Sequence, residues 1–270
     1  MTFRLSGKPL RLSDEGRIKK AVGEGRKIPF LIVFDPREKD SLPYVGSVSR
    51  FLALVGLPLR ELTIEDQTDY MKALDAVKAN DAAVILARPL KPEWEEGILK
   101  GLSSRNDPDM QTAFNKSLLY SGNIDCLPAT AKAVLRLLSF YGIQVTGKKA
   151  LVIGRSLTVG LPIARGLLDL NALVEIAHSK VPLPTLRREA KEADILVLAS
   201  GKVGLVDRDS LNSNQVIVDV GYHASTHSGD LGFVPLEGEV QAYTPVPGGL
   251  GPLTVSTLVL NAYGLWGQSI

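Results

Sequence analysis

The chain has 270 residues, which at about 150 residues per domain is room for one large core or two modest ones. Lys plus Arg number 31 against 29 Asp plus Glu, so with a formal net charge of +2 no polyanion-binding surface is implied and nucleic acid is not an expected partner. Hydrophobic residues at 45% and charged residues at 22%, with 25 Gly and 16 Pro dispersed along the chain, exclude disorder and collagen-like repeats.

In chain order, MTFRLSGKPLRLSDEGRIKK alternates charged and apolar residues without an apolar stretch of signal-peptide type and predicts no secretory signal. Short β-branched runs then alternate with helix-period segments, the pattern of an α/β protein with a largely parallel sheet. FLIVFD (30–35) predicts a buried strand, 41–56 a helix closed by Gly56, LRELTI (59–64) a second strand, 65–80 a helix and AAVILARPL (82–90) a third strand. Residues 91–122 hold a short helix, PEWEEGILKGL, then SSRNDPD, which is loop chemistry, then a polar segment with scattered apolar residues.

From Pro128 a new unit begins. PATAKAVLRLLSFYG (128–142) has helical spacing and ends on Gly142 as a C-cap. KALVIG (149–154), ALVEIA (172–177), ILVLAS (195–200) and VIVDVG (216–221) predict four strands of a nucleotide-binding half-fold. After PVPGGLGP (245–252), TVSTLVLNAYGLWG returns to helix, placed to pack back on the first domain. The expected division is 1–125 plus 253–270 for the first domain and 126–252 for the second. No uncharged apolar run reaches the ~18 residues of a membrane span, so a soluble, cytoplasmic protein with no membrane partner is expected.

The single cysteine, Cys126, cannot form an internal disulfide and favours a reducing compartment. His223 and His227 form an H-x-x-x-H pair, but HASTHSGD reads as a solvated loop, and no metal site is expected.

The informative turn is VIGRSLTVGLPIARGLL: a strand ends at Gly154, a six-residue step reaches Gly160, and a helix follows with Pro162 in its first turn. That places backbone N–H groups for a pyrophosphate, although the spacing is not G-x-G-x-x-G and a glycine-punctuated turn with no ligand competes with it. An NAD-selective site carries an acid at the end of the next strand, whereas here the chain reads His178, Ser179, Lys180. With Arg155 beside Gly154, the hydroxyl and two cations suit a 2′-phosphate, hence NADP; an exposed polar loop is the bland alternative for Ser179 and Lys180.

GRSLTVGLP, AHSK, ADILVLASGKVGLV, VIVDVGYH and above all TPVPGGLGPLT resemble the bifunctional methylenetetrahydrofolate dehydrogenase/cyclohydrolase family, whose bacterial members are called FolD. The resemblance runs from about Cys126, in a D-C-L-P-A-T segment similar to the family's P-C-T-P, to the C-terminal helix. It implies two α/β domains with a cleft between, a folate-type small-molecule substrate, NADP and a homodimer. The implied cofactor residues are Gly154, Arg155, Ser156, Gly160, His178, Ser179, Lys180 and Gly221, with Arg155 and Ser179 on the 2′-phosphate; Pro247 and Gly251 line the folate side.

In the N-terminal half the resemblance is fainter. SLPYVGSVSRFLALVG aligns without a gap to the family's S-x-x-Y-V-x-x-K-x-K, so Tyr44 matches the folate-stacking tyrosine while Val48 stands at the lysine position. Arg50 matches the second basic position, two residues on and about 200° round the helix. The family's Q-L-P-L-P has become ARPLK, which puts Ala87 at the glutamine, and for K-D-V-D-G-F the nearest stretch is MQTAF (110–114), with Thr112 at the acid position. Hydride transfer from the methylene carbon to NADP+ needs mainly ring positioning, which Tyr44 could still supply. Water addition in the cyclohydrolase step needs a placed acid or base worth about 100- to 10,000-fold, so that activity is expected to be weak or absent. Lys91 or Arg88 could restore a charge, although arginine cannot act as a base. The competing reading is a repurposed or non-catalytic NADP-binding relative.

Overall fold

The computed structural model describes residues 2–121, 126–223 and 225–267. Along the chain run β1 (Phe3–Arg4), α1 (Lys8–Gly23), β2 (Phe30–Phe34), α2 (Leu42–Val55), β3 (Leu59–Thr63), α3 (Gln67–Lys78), β4 (Ala83–Leu86), α4 (Pro92–Gly101) and α5 (Ala113–Leu118). They continue as α6 (Ala129–Phe140), β5 (Lys149–Ile153), α7 (Gly160–Asp169), β6 (Leu173–Ala177), α8 (Leu183–Glu192), β7 (Ile195–Leu198), β8 (Val216–Asp219), β9 (Ala242–Tyr243) and α9 (Gly251–Leu265). The chain divides into two compact units, residues 1–11 with 130–254 (unit 1) and 12–129 with 255–270 (unit 2).

Unit 1 holds a six-stranded parallel sheet in the order β1-β9-β8-β7-β5-β6. Its central strands are continuous apolar runs, with every residue of β7 and β8 buried, because helices cover both faces of a parallel sheet; β6 at the edge is largely exposed. Unit 2 holds a parallel sheet in the order β3-β2-β4. The expected α/β class with parallel sheets holds in both. No helix among the described residues is long and apolar enough to cross a membrane.

Several elements differ from the sequence reading. β4 stops at Leu86, short of the expected 90, because Pro89 has no N–H for a ladder; Ala87 makes the last pairing, its N–H donating to the Val33 carbonyl at 3.0 Å. α3 starts at Gln67 because the Asp66 carboxylate caps it by accepting from the Asp69 N–H. Phe3–Arg4 pairs with β9 in unit 1, where a place in the first domain was expected. The expected boundary at residue 125, and Asp125 of D-C-L-P-A-T, lie outside the described residues.

In unit 2, Val255, Leu258, Val259, Ala262 and Tyr263 of α9 join Ile18 and Ala21 of α1, Phe30 and Ile32 of β2 and Val48, Phe51 and Leu52 of α2 in one apolar cluster. On the sheet's other face, Leu31, Val33, Val84 and Leu86 pack with Ala73 and Val77 of α3 and Trp94 and Ile98 of α4. The polar stretch after α4 is ordered by side chains rather than by an apolar stripe. Asn106 Nδ2 donates to the Ala82 carbonyl at 2.5 Å, the Thr112 N–H to Asp107 Oδ2 at 2.7 Å, and Asn115 Nδ2 to Asp107 Oδ2 at 2.9 Å.

Candidate functional sites

In unit 1 the chain passes from β5 to β6 on one side and returns to β7 on the other, so the strand order reverses between β5 and β7. The crevice beyond the carboxyl ends of strands at such a reversal is where open α/β sheets bind ligands. Gly154 ends β5 there with φ +139°, and a Cβ on it would sit 2.1 Å from the Ala199 carbonyl oxygen at the end of β7. Gly160 opens α7 against Gly154 itself, its added Cβ falling 2.2 Å from the Gly154 carbonyl oxygen. Between them the Ser156 hydroxyl accepts from the N–H groups of Val159 (3.2 Å) and Gly160 (3.3 Å) and fixes the turn. A backbone-lined cradle at a helix N-terminus results, from which side chains are excluded at both glycines.

Cations and hydroxyls follow the carboxyl ends of the two adjacent strands β5 and β6. Arg155 and Ser156 leave β5 exposed, Ser179 and Lys180 leave the adjacent β6 exposed, and no carboxylate occupies 178–180. His178 shapes this rim from within, its Nδ1 accepting from the Lys180 N–H at 3.2 Å. Cationic and hydroxyl donors without a competing acid fit a dinucleotide bearing a 2′-phosphate. Charged hydrogen bonds are worth about 1.5–3 kcal/mol; Arg155→Ala should weaken NADP+ binding roughly 10- to 100-fold and NAD+ binding less than about threefold, as titration with both nucleotides will show.

Gly221, after β8, answers to a packing demand: its added Cβ would meet Asp230 Oδ1 at 2.1 Å. The buried Asp219 carboxylate accepts from the N–H groups of Gly221 (3.0 Å), Asp230 (3.0 Å) and Leu231 (2.9 Å), and burial still pushes its pKa up to about 6. Asp230 in turn accepts from the Ser200 N–H (2.7 Å) and the Gly201 N–H (2.9 Å) and pairs with His223 Nε2 at 2.9 Å. His227 Nδ1 meets the Tyr222 hydroxyl at 3.2 Å, so the two histidines of H-x-x-x-H serve separate local contacts. Pro247 and Gly251 are exposed residues of unit 1: Pro247 lies in a loop held by Gly7, whose N–H donates to the Gly249 carbonyl at 3.1 Å, and Gly251 opens α9.

In unit 2, Tyr44 is half-buried in the first turn of α2 and packs against the cluster that contains Val48 and Ala87, both 0% exposed. The two positions where the resemblance implies lysine and glutamine are thus apolar core. Around Tyr44 the charged groups come from other elements. Arg88, just past β4, donates from Nε to Glu95 Oε1 of α4 at 2.8 Å and places Nη1 3.8 Å from Asp109 Oδ2, while its Nη2 is buried without a hydrogen-bond partner among the described residues. Burial drives the Tyr44 hydroxyl well above its ordinary pKa, the Asp109 charge adding to this and Arg88 opposing it. Lys91 lies elsewhere, its Nζ 4.2 Å from the centroid of the Trp94 ring. Of the two cations considered from sequence, Arg88 is the one whose charge acts on Tyr44.

Asp109 is the functional candidate that the sequence reading missed. Its side chain is 26% exposed, burial raises its pKa to about 6, the Arg88 charge pulls it down, the Asp107 charge raises it, and the Ala129 N–H (3.2 Å to Oδ1) and Lys116 favour ionisation. Thr112, the residue expected at the acid position, instead caps α5, its Oγ1 accepting from the Asn115 N–H at 3.3 Å. Asp107-Pro108-Asp109 repeats the acid spacing of K-D-V-D-G-F, and Met110 follows in the left-handed region at φ +55°, where that pattern has glycine. The spacing of the two aspartates was the available signal; methionine in place of glycine hid it.

A Rossmann-type unit with a glycine cradle and a cationic, hydroxyl-bearing rim, and a second unit in which a phenol, a guanidinium and a carboxylate act on one another, are the parts of an NAD(P)-dependent oxidoreductase of two α/β units. Residues 128–269 match the model of the tetrahydrofolate dehydrogenase/cyclohydrolase NAD(P)-binding domain. The chain is 32% identical to the bifunctional protein FolD of Dictyoglomus turgidum over 269 residues, 95% of each chain, and 32% identical to that of Clostridium beijerinckii over 273 residues, 96% of this chain and 95% of the other. Among solved structures it is similar to a 5,10-methylenetetrahydrofolate dehydrogenase from the silkworm Bombyx mori (TM-score 0.87, 26% identity, 98% of each chain covered). It is also similar to a Trypanosoma brucei methylenetetrahydrofolate dehydrogenase-cyclohydrolase complexed with NADP cofactor and inhibitor (TM-score 0.86, 25% identity, covering 98% of this chain and 97% of the other). The chain belongs to the tetrahydrofolate dehydrogenase/cyclohydrolase family.

Proposed function

We propose that this protein oxidises 5,10-methylenetetrahydrofolate to 5,10-methenyltetrahydrofolate with NADP+ as hydride acceptor. The observation that carries the reading is the Gly154/Gly160 cradle at the sheet's reversal, rimmed by Arg155, Ser179 and Lys180, in a chain of this family. The bound nicotinamide supplies the hydride-accepting carbon. The chain's own residues do the rest: the cradle's N–H groups hold the pyrophosphate, Arg155 and Ser179 the 2′-phosphate, and Tyr44 stacks on the pterin. The folate nitrogens carry the product's positive charge, so hydride transfer asks for positioning rather than for a proton donor. Beside the site, two carboxylates, Asp109 and Glu95, face one guanidinium, a balance that favours a cationic product.

The second activity named in the family, hydrolysis of the methenyl compound, is on this reading much slower than in relatives. Support comes from Val48, which has no proton to exchange and lies wholly inside the apolar cluster. A placed acid or base is worth about 100- to 10,000-fold, and the hydrolysis rate should fall at least tenfold below the dehydrogenase rate. NADPH formation followed at 340 nm, beside the decay of methenyltetrahydrofolate, tests both parts. Equal rates would remove the second part. NADP+ binding without reduction by methylenetetrahydrofolate would remove the first and favour a repurposed relative. The homodimer implied by the resemblance is checked by mass in solution.

A further inference from the structure

We propose that His223 is a positioning residue for the nicotinamide half of the cofactor, acting through the buried Asp230 on the loop that follows β7. This rests on the reading of the Gly154/Gly160 turn as the NADP cradle. That turn holds the middle of the dinucleotide, and Arg155, Ser179 and Lys180 draw its 2′-phosphate, and so its adenosine, to the β6 side. The strand order reverses at β5, which leaves the carboxyl ends of β7 and β8 for the other half of the ligand. Gly154 abuts that side: an added Cβ would fall 2.1 Å from the Ala199 carbonyl oxygen at the end of β7.

The loop after β7 is held by a residue of the β8–β9 connection. Asp230, its side chain 1% exposed, accepts on Oδ2 from the Ser200 N–H (2.7 Å), the Ser200 hydroxyl (2.9 Å) and the Gly201 N–H (2.9 Å). Its carbonyl accepts from the Gly204 N–H at 2.9 Å, and its own N–H donates to Asp219 Oδ1 at the end of β8 at 3.0 Å. The rotation of its carboxyl group is set by His223, the one hydrogen-bond partner of Oδ1 among the described residues, at 2.9 Å. A carboxylate oxygen can only accept, so Nε2 is the donor. Gly221 gives this pair its room, since a Cβ there would lie 2.1 Å from Asp230 Oδ1.

The His223 side chain is 22% exposed, so a chain of bonds that begins at a partly exposed imidazole ends on backbone N–H groups of the β7 loop. Without the imidazole, a buried acceptor is left unpaired and the carboxyl group is free to turn, and the three donors on Oδ2 lose their fixed acceptor. The cradle keeps its own bonds, from the N–H groups of Val159 and Gly160 to the Ser156 hydroxyl. The half of the site beyond the reversal should therefore loosen while the adenosine half stays.

The test uses the full chain and compares NADPH with 2′,5′-ADP, which carries the adenosine and the 2′-phosphate but no nicotinamide. Loss of one hydrogen bond to a charged group is worth roughly 10- to 100-fold and only part of it reaches the ligand, so His223→Ala should raise the Kd of NADPH about tenfold and that of 2′,5′-ADP less than about twofold. NADP+ and NAD+ should weaken by the same factor, in contrast to Arg155→Ala. His223→Gln offers an amide donor in place of Nε2 and should bring NADPH binding back to within about threefold of wild type. In the wild type, NADPH should slow hydrogen exchange in residues 199–204 and 2′,5′-ADP should not, a measurement that stands even where the alanine variant fails to fold.

Equal weakening of NADPH and 2′,5′-ADP is what a merely structural pair would give, and it would overturn the proposal. So would wild-type NADPH affinity in His223→Ala, a glutamine variant no better than alanine, or equal slowing of exchange in 199–204 by the two ligands. If the wild type binds neither ligand, the cradle reading itself has failed, and the proposal with it. Absence of turnover with folates bears on the proposed reaction alone, since none of these measurements uses a folate.

Discussion

Gly154→Ala will weaken NADPH binding at least about 30-fold and destabilise unit 1 by about 2–4 kcal/mol, the figures following from two separate penalties. At φ +139° the backbone occupies a region essentially reserved for glycine, and forcing an L side chain there costs about 1–3 kcal/mol. The new Cβ would also lie 2.1 Å from the oxygen and 2.7 Å from the carbon of the Ala199 carbonyl, so β5 and β7 would have to part at the point where the strand order reverses. Backbone cannot swing aside as a flexible side chain does, and the pyrophosphate cradle opens with it. A factor of ten in affinity corresponds to about 1.4 kcal/mol, so a cradle opened by this much leaves little binding. NADPH fluorescence titration and thermal unfolding read the two effects. Gly160→Ala meets the same Gly154 carbonyl at 2.2 Å, and the two substitutions, being in contact, will not add. Gly16→Ala is the control: it lies exposed within α1 with nothing near its added Cβ, and it should stabilise by about 0.5–1 kcal/mol. Wild-type affinity and melting temperature in Gly154→Ala would sink this account of the turn.

The Rossmann unit was open to sequence reading because its central strands β7 and β8 are fully buried and therefore written as unbroken apolar runs such as VIVD, closed by turn signals. α1 was not, since only Asp14, Ile18 and Ala21 along it are buried and its exposed face fills the pattern with charge. The two-residue strands β1 and β9 are too short for any period to show. Residues 103–118 gave no apolar stripe because Asn106, Asp107, Thr112 and Asn115 order that stretch through hydrogen bonds, and such bonds leave no periodicity. The cofactor candidates from Gly154 to Lys180 were legible as a local strand–turn–helix–strand within about 30 residues, with Gly221 lying apart. Asp109 was not, because Met110 stands where the family pattern has glycine and because the group it acts on, Tyr44, is far away in the chain. Motif spacing cannot report burial, and burial is what turns this aspartate into a group that titrates near neutrality.

Asn261→Leu should cost about 2–4 kcal/mol of stability in unit 2 and abolish folate turnover, with NADPH binding by unit 1 retained. Asn261 is 3% exposed on α9, and its Nδ2 donates to the carbonyls of Pro108 at 3.0 Å and Leu127 at 3.2 Å. Pro108 lies between Asp107 and Asp109, and Leu127 is two residues before α6, whose Ala129 N–H holds Asp109 Oδ1. One amide therefore ties both sides of the carboxylate to the C-terminal helix. Leucine matches asparagine in size but leaves two buried carbonyls without that donor, at about 1–3 kcal/mol each. Its apolar gain within a largely hydrophobic helix offsets part of this. Asn261→Asp should be worse than Asn261→Leu, because an ionised carboxylate would point acceptors at acceptors and would itself need a counter-charge. Thermal unfolding of the two variants gives the order, and NADP+ reduction with NADPH titration separates the units. A leucine variant with wild-type turnover would show that Asp109 is held without α9.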